Sequence, residues 1–221
     1  MVLKLYGFPK AGHTITPAVT LLEKKIPFEM VTIDVPNGQH KSAEYLAIQP
    51  LGLVPCIDDD GFILYESRAI SRYLADKYAP QGTALLPAAD DFNAKALFEQ
   101  AASVEVTAFQ QHAHTIYVEA IEKPNQGFPK DQAVWEQGVA QLSATLDVYE
   151  TTLGKQKFIA GDAFSLVDLF HIAFGRMLAA SGCDLLTTKG PNVARWWKDI
   201  MSRPSLNNLQ LGDEVVSTLV Y

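Results

Sequence analysis

The sequence predicts an α/β N-terminal domain followed by an all-helical C-terminal domain, and three features of the chain support this fold class. Over residues 1 to about 80, short strand-like runs alternate with helical patterns, as in an α/β unit. Residues 79–87 contain two prolines and one glycine, which interrupt any helix and indicate a linker. From Asp90 onward, only long helical patterns are found. We therefore expect domains at residues 1–81 and 90–221.

The elements of the first domain follow from hydrophobic period and from the residues that bound each run. Strand-length apolar runs lie at 3–6, at 28–33 and in a hairpin around the acidic turn 58–61. Helical patterns predict a first helix that ends near Lys25, a second at about 42–49 and a third at 66–78. Pro17 lacks an N–H and fits only a first helical turn, so we expect the first helix to begin late, with Thr16 as its cap.

The second domain shows helical spacing and one recognisable helix start. Apolar residues recur at intervals of three and four at Trp135, Val139, Leu142, Leu146, Tyr149 and Leu153. Ser165 and Asp168 have the spacing of a capping box, which predicts a helix that begins after Ser165. His171 lies on an apolar face of this helix and is interpreted as a core histidine.

Composition excludes several classes of function. The 221-residue chain has a formal net charge of -7 and is 48% hydrophobic and 19% charged, which favours a globular protein over a nucleic-acid surface or a disordered chain. Its apolar runs are too short to span a bilayer, and we expect a cytoplasmic protein without membrane contact. Cys56 and Cys183 have no metal or redox spacing, so we expect two buried thiols and no metal.

The stretch from Leu51 to Ile70 carries the most informative pattern. A proline in the strand-like run cannot donate to a sheet, so Val54-Pro55 is expected at a strand start or edge, and its peptide bond can be cis or trans. The main chain of Val54 can then pair with an extended peptide. Glu66 and Ser67 open a helix, whose N-terminal N–H groups and dipole favour a carboxylate.

These residues resemble a known family. The combination of Asn37-Gly38-Gln39-His40-Lys41, Val54-Pro55 and Glu66-Ser67-Arg68-Ala69-Ile70 is similar to the glutathione-binding segment of the glutathione transferases, specifically their phi-like branch with its fungal members. The resemblance covers nearly the whole chain. It implies a thioredoxin-like first domain, a helical second domain, glutathione as co-substrate and a homodimer.

The resemblance also implies contacts to glutathione. Glu66 and Ser67 would bind the γ-glutamyl group, and Val54, next to Pro55, would pair with the cysteinyl unit. The glycyl carboxylate would meet two residues, His40 and Lys41. Leu53 stands where many relatives have Gln, so one side-chain contact is in doubt.

The position that stabilises the sulfur departs from the family pattern. A family Ser that donates to the glutathione thiolate falls on Ala11 in the turn from Gly7. Because only the thiolate attacks well, another donor is needed. The candidates are the backbone N–H groups around Gly12 and His13, the His13 side chain and, ranked last, the Thr14 hydroxyl.

Apolar, aromatic and thioether side chains suit a flat electrophilic acceptor. We expect the acceptor contacts to come from Phe8, Phe109, His112, Ile116 and Met177, most of which fit a core position equally well. The predicted activity is conjugation of glutathione to electrophilic, apolar or aromatic acceptors. Two alternatives are a low-turnover carrier of hydrophobic compounds and, less favoured for lack of a Cys near Ala11, a thiol reductase or lyase.

Overall fold

The computed structural model describes residues 2–207, 209–211 and 214–215 of the chain. The chain forms two compact units. The first contains the residues up to Ala84 together with the described residues from Pro204 onward, and the second contains 85–203. Among the described residues, no helix combines the length and the apolar character needed to cross a membrane.

The first unit contains a mixed four-stranded sheet, which is the thioredoxin-like arrangement that the resemblance implied. Its strands are β1 (Leu3–Gly7), β2 (Phe28–Thr32), β3 (Cys56–Asp59) and β4 (Phe62–Tyr65), in the order β2-β1-β3-β4. Strand β1 pairs in parallel with β2 and antiparallel with β3, and β3 forms a hairpin with β4. Strands β1 and β3 therefore lie at the centre of the sheet, and the connecting loops described below leave from one end of these strands.

The described part of this unit contains three α-helices, α1 (Gly12–Glu23), α2 (Ala43–Leu46) and α3 (Ser67–Lys77). The apolar side chains of the helices and sheet form a buried core that includes Leu5, Ile15, Leu21, Ile57, Ile70 and Leu74, each fully shielded from solvent. Helices α1 and α3 pack against each other. Helix α2 is much shorter than the 42–49 expected, although Ser42 caps it as a polar residue should.

The late start predicted for α1 is wrong. The helix begins at Gly12, and Pro17 lies inside it as the sixth residue rather than in the first turn. An interior proline removes one hydrogen bond and strains the preceding turn. Burial outweighs this cost, because Ile15, Ala18 and Val19 on either side of the proline are each 0% exposed.

The second unit is helical throughout. Its helices are α4 (Phe92–Val104), α5 (Gln111–Tyr117), α6 (Lys123–Asn125), α7 (Gln132–Leu153), α8 (Leu166–Ala180), α9 (Leu185–Thr188) and α10 (Pro191–Met201). Wider π-helical turns at Glu105–Gln110 and Val118–Glu122 join α4, α5 and α6 into one nearly continuous helix. The linker expected at 79–87 contains no helix or strand.

The predicted capping box and core histidine are both confirmed. The Asp168 carboxylate accepts hydrogen bonds from the Ser165 main chain at 2.9 Å and from Trp196 Nε1 at 2.8 Å, and Asp168 itself is 0% exposed. His171 is equally buried, with Nδ1 2.7 Å from the Val167 carbonyl oxygen and Nε2 3.0 Å from the Tyr149 hydroxyl. These hydrogen bonds satisfy buried polar groups in the interior of the helical unit.

The expectation that no strand follows Asp90 is wrong at one place. Two short strands, β5 (Gln210–Leu211) and β6 (Glu214–Val215), pair with each other as part of the first unit. A two-residue strand is too short to leave a periodic signal in the sequence. The Ser205 hydroxyl donates to the Glu23 carboxylate, which ties this returning segment to the end of α1.

Candidate active site

Three loops of the first unit emerge at one edge of the sheet. Strand β1 ends at Gly7, and its neighbour Tyr6 lies opposite Cys56 at the start of β3. Cys56 in turn lies opposite Tyr65, the last residue of β4. The register therefore brings together the turn after Gly7, the Val54-Pro55 segment before β3 and the start of α3 after β4. The sequence placed candidate residues in all three.

The first turn of α1 forms one side of this group. Ala11 caps the helix in an extended conformation with no side-chain hydrogen bond, and its main-chain N–H donates to the Phe8 carbonyl oxygen at 2.9 Å. The Thr14 N–H is used within the turn, where it donates to the Ala11 carbonyl oxygen at 2.9 Å. The N–H groups of Gly12 and His13 lie at the positive end of the helix dipole, where an anion is stabilised.

Thr14 does not present its hydroxyl to solvent. The side chain is 0% exposed, and its Oγ1 has no hydrogen-bond partner within the described part of the chain. Its methyl and hydroxyl groups fill the space directly beside Gly7. In this conformation a ligand cannot reach the Thr14 hydroxyl, so Thr14 is removed from the candidate sulfur donors.

The Val54–Pro55 peptide bond is cis, as the sequence had left open. The preceding loop is held by one side chain of α2 and one that follows this helix. Tyr45 donates its hydroxyl to the Leu53 carbonyl oxygen at 2.8 Å, and the Leu53 N–H donates to Gln49 Oε1 at 3.2 Å. Burial raises the pKa of Tyr45, which keeps this phenol protonated as a donor. Both main-chain groups of Leu53 are thus occupied, while its side chain is exposed.

Sequence reasoning missed the roles of Tyr45 and Gln49. Tyr45 is 4% exposed and Gln49 is 1% exposed, so each is a buried polar side chain whose hydrogen bond is directed to the loop. Lys41 adds a third link, because its Nζ lies 3.2 Å from the Leu51 carbonyl oxygen. In the sequence, Tyr45 and Gln49 are visible only as two polar residues four apart just before the loop. This spacing does not show which main-chain atoms they bond to.

The glycyl-carboxylate candidates differ in how they are placed. His40 and Lys41 lie in a short 3₁₀ turn, Gln39–Lys41. His40 Nδ1 is buried and has no hydrogen-bond partner among the described residues, which leaves a polar atom in need of one. Gly52 has a left-handed φ of 60°, and a Cβ there would lie 2.8 Å from the His40 carbonyl oxygen, so the loop fits closely against this turn.

Helix α3 begins at Ser67, as expected, and Glu66 precedes it with a φ of 72°. A positive φ is uncommon for a residue with a side chain and is often found at functional sites. Ser67 is buried, whereas the Glu66 side chain is exposed. This arrangement presents a helix N-terminus beside a carboxylate, which suits a group that carries both a carboxylate and an ammonium.

The predicted acceptor residues in the helical unit are mostly core residues. Phe109, Ile116 and Met177 are at most 1% exposed, and the Phe109 ring lies 4.6 Å from that of His171. Ile116 packs beside Gly138 of α7. We therefore correct the expectation that these three residues contact an acceptor, because a ligand could reach them only by displacing packed side chains.

Two acceptor candidates retain accessible surface. Phe8 and His112 are both half-buried. Burial lowers the pKa of His112, which favours a neutral imidazole beside apolar groups. Among the described residues, no group of three or more His, Cys, Asp or Glu side chains is arranged to hold a metal ion.

Comparison with known proteins agrees with this geometry. Residues 1–76 match the family model for the glutathione S-transferase N-terminal domain, and residues 108–204 match the model for the C-terminal domain. The chain belongs to the glutathione S-transferase family. It is 43% identical over 204 residues to glutathione S-transferase hmp2 of Hypomyces subiculosus, covering 92% of this chain and 95% of the relative.

Plant relatives place this transferase near the phi-like branch. Glutathione S-transferase F9 of Arabidopsis thaliana is 37% identical over 206 residues, which is 93% of this chain and 94% of the relative. The crystal structure of glutathione transferase F7 from Populus trichocarpa superposes with a TM-score of 0.89 at 33% identity, covering 96% of this chain and all of that one. A maize glutathione S-transferase I solved with an atrazine glutathione conjugate gives a TM-score of 0.85 at 32% identity, with coverage of 94% and 95%.

Proposed function

We propose that this transferase conjugates glutathione to electrophilic, apolar or aromatic acceptors and stabilises the glutathione thiolate with main-chain N–H groups instead of a side-chain hydroxyl. The observation that carries the proposal is the shared sheet edge. The turn after Gly7, the cis Val54–Pro55 segment and the start of α3 lie side by side there. A tripeptide with an anionic sulfur and two carboxylates matches the chemistry of these loops.

Each part of glutathione has a proposed partner. The Val54 main chain pairs with the cysteinyl unit, because the Leu53 groups before it are taken by Tyr45 and Gln49. The γ-glutamyl group meets Glu66 and Ser67 at the start of α3. His40, whose Nδ1 has no partner in the described structure, receives the glycyl carboxylate.

Lys41 contributes to the same end of the ligand by proximity. Its ammonium already lies at hydrogen-bond distance from the Leu51 carbonyl oxygen. It therefore acts first by holding the loop and second as a positive charge near the glycyl carboxylate. Leu53, with its exposed apolar side chain, supplies no polar contact in the place of the Gln of many relatives.

The proposed chemistry is a thiolate attack. The N–H groups of Gly12 and His13 favour the anionic sulfur and lower the thiol pKa, which is about 8.5 for a free thiol. The sulfur lone pair forms an S–C bond to the electrophilic carbon, and the displaced group leaves with the bonding electrons. The thiol proton passes to solvent before the attack.

Because residue 11 has no hydroxyl to donate to the sulfur, we expect a modest rate of conjugation. Removing one donor to a developing anion lowers the rate constant by roughly 10²–10³ in other enzymes. An Ala11→Ser variant is therefore expected to raise kcat/KM for a model electrophile by at least about tenfold. An unchanged kcat/KM in a folded, glutathione-binding variant would show that the missing hydroxyl does not limit the rate.

Binding and turnover distinguish the transferase from the carrier. We expect calorimetry to show glutathione binding and a spectrophotometric assay to show conjugation above the uncatalysed rate. Tight binding with no turnover against several electrophiles would favour the alternative function, a carrier of hydrophobic compounds. Absence of any glutathione binding would contradict both. The same conjugation assay applied to His13→Ala tests the His13 imidazole alone, because the variant keeps the main-chain N–H of residue 13. An unchanged rate would remove the imidazole from the mechanism.

A further inference from the structure

Strand β1 and helix α1 approach each other at a point that leaves no room for a side chain on residue 7. A Cβ built on Gly7 would lie 2.5 Å from Cγ2 and 2.7 Å from Oγ1 of Thr14. Carbon atoms in good contact are about 3.5–4.0 Å apart, so an alanine here would overlap with Thr14. Gly7 does not have a left-handed φ, and the requirement for glycine is therefore steric.

Neither partner in this contact can move easily. Gly7 lies in a central strand opposite Thr32, and its carbonyl oxygen accepts a hydrogen bond from the Ile33 N–H at 2.8 Å. Thr14 is 0% exposed, and its β-branched side chain is limited to few χ1 rotamers in a helix. Any group added at residue 7 would therefore push the first turn of α1 away from the sheet.

We propose that the contact between Gly7 and Thr14 sets the position of the first turn of α1, and that Thr14 is a positioning residue for the Gly12 and His13 N–H groups. The proposal rests on the proposed function, in which those groups face the glutathione sulfur. Thr14 acts by shape. Its hydroxyl has no hydrogen-bond partner in the described part of the chain, so a side chain of the same outline without the hydroxyl fits equally well.

The test compares Gly7→Ala with a double variant that removes the two closest atoms of Thr14 and leaves only its Cβ, 3.2 Å from the new methyl group. The readout is the pKa of bound glutathione, followed by the pH dependence of thiolate absorbance. Gly7→Ala is expected to raise this pKa by about one unit, which is about a tenfold loss of thiolate at a pH below it. Gly7→Ala combined with Thr14→Ala is expected to recover most of the shift. Thr14→Val is expected to keep the wild-type pKa, because it keeps the shape.

A matched control separates displacement of α1 from general loss of stability. A Cβ on Gly175 would lie 2.3 Å from the Trp197 ring in the helical unit, a clash of similar size far along the chain. Gly175→Ala is expected to lower the melting temperature without changing the pKa of bound glutathione.

Several results would overturn the proposal. An unchanged pKa in Gly7→Ala, or no recovery in the double variant, would show that the contact does not position the turn. A raised pKa in Thr14→Val would give the hydroxyl a direct role. If Gly7→Ala does not fold, a double variant that also fails to fold contradicts the steric argument.

The proposed function is tested separately from this inference. A wild-type protein that binds glutathione without lowering its thiol pKa would contradict main-chain stabilisation of the sulfur. The positioning claim would then be decided without ligand, by the NMR amide shifts of Gly12 and His13. These shifts are expected to change in Gly7→Ala and to return in the double variant, and unchanged shifts would refute it.

Discussion

The hydrogen bond from Tyr45 to Leu53 offers a direct test of how the glutathione loop is held. Tyr45→Phe removes only the hydroxyl, which lies 2.8 Å from the Leu53 carbonyl oxygen, and keeps the buried ring. The bond itself is only partly buried, so water can replace the hydroxyl in the variant. The loss is then that of an ordinary hydrogen bond and not of a buried unsatisfied group.

The expected magnitude follows from that distinction. A typical intramolecular hydrogen bond contributes about 1 kcal/mol to stability. If the loop loosens in the free variant and must be ordered when glutathione binds, the same energy appears in the dissociation constant. One kcal/mol corresponds to a factor of about five. Tyr45→Phe is therefore expected to raise the Kd for glutathione by up to about fivefold.

Calorimetric titration with glutathione and urea denaturation give the two quantities needed. The matched control is Tyr73→Phe, which removes another 2.8 Å hydrogen bond, from the Tyr73 hydroxyl to Asp59, together with the one that the hydroxyl accepts from Lys77 at 3.1 Å. It is expected to lower stability while leaving the Kd unchanged, because Tyr73 bonds to Asp59 at the end of β3 opposite to Pro55. Equal effects of the two variants on the Kd would refute the role given to Tyr45.

Three further predictions concern buried polar groups. Burial raises the pKa of the Cys56 thiol to about 11 and also raises that of Cys183, so both thiols should resist alkylation at pH 8 in the native protein and react in denaturant, as counted by mass spectrometry. Asp168→Asn places an amide among hydrogen-bond donors, and urea denaturation should show a loss of roughly 2–4 kcal/mol in the free energy of unfolding. The hydrogen bond from Lys123 holds the pKa of Glu119 below its usual value. The ionised carboxylate therefore stabilises the fold at pH values above the usual pKa, and this stabilisation is lost as the pH falls through the lowered pKa. Glu119→Gln should flatten the acid side of the stability profile, and an unchanged profile would contradict the assignment.

Much of the fold could be predicted because the patterns were local. The strands and helices of the first unit, the cis-compatible Val54-Pro55 pair and the capping box at Ser165 each depend on residues close together in the sequence. The start of α1 could not be predicted in this way. Pro17 locally disfavours a helix that begins at Gly12, but the burial of the neighbouring apolar residues stabilises that helix.

The candidate site shows the same division. Residues that we propose to act through the main chain, such as Val54 and the start of α3, were visible in the sequence because turns and helix starts have characteristic residues. Tyr45 and Thr14 were not, since their roles depend on which backbone atom each side chain meets. Three of the five acceptor candidates, Phe109, Ile116 and Met177, lie in the core for a related reason, because an apolar residue at helical spacing has the same pattern in a core as in a pocket.

A crystal structure with bound glutathione would test the central claim most directly. The account predicts the cysteinyl unit paired with the Val54 main chain, a ligand carboxylate at the start of α3 and the sulfur within hydrogen-bond distance of the Gly12 or His13 N–H. A sulfur atom remote from the first turn of α1, or a ligand bound away from the Val54-Pro55 segment, would contradict it.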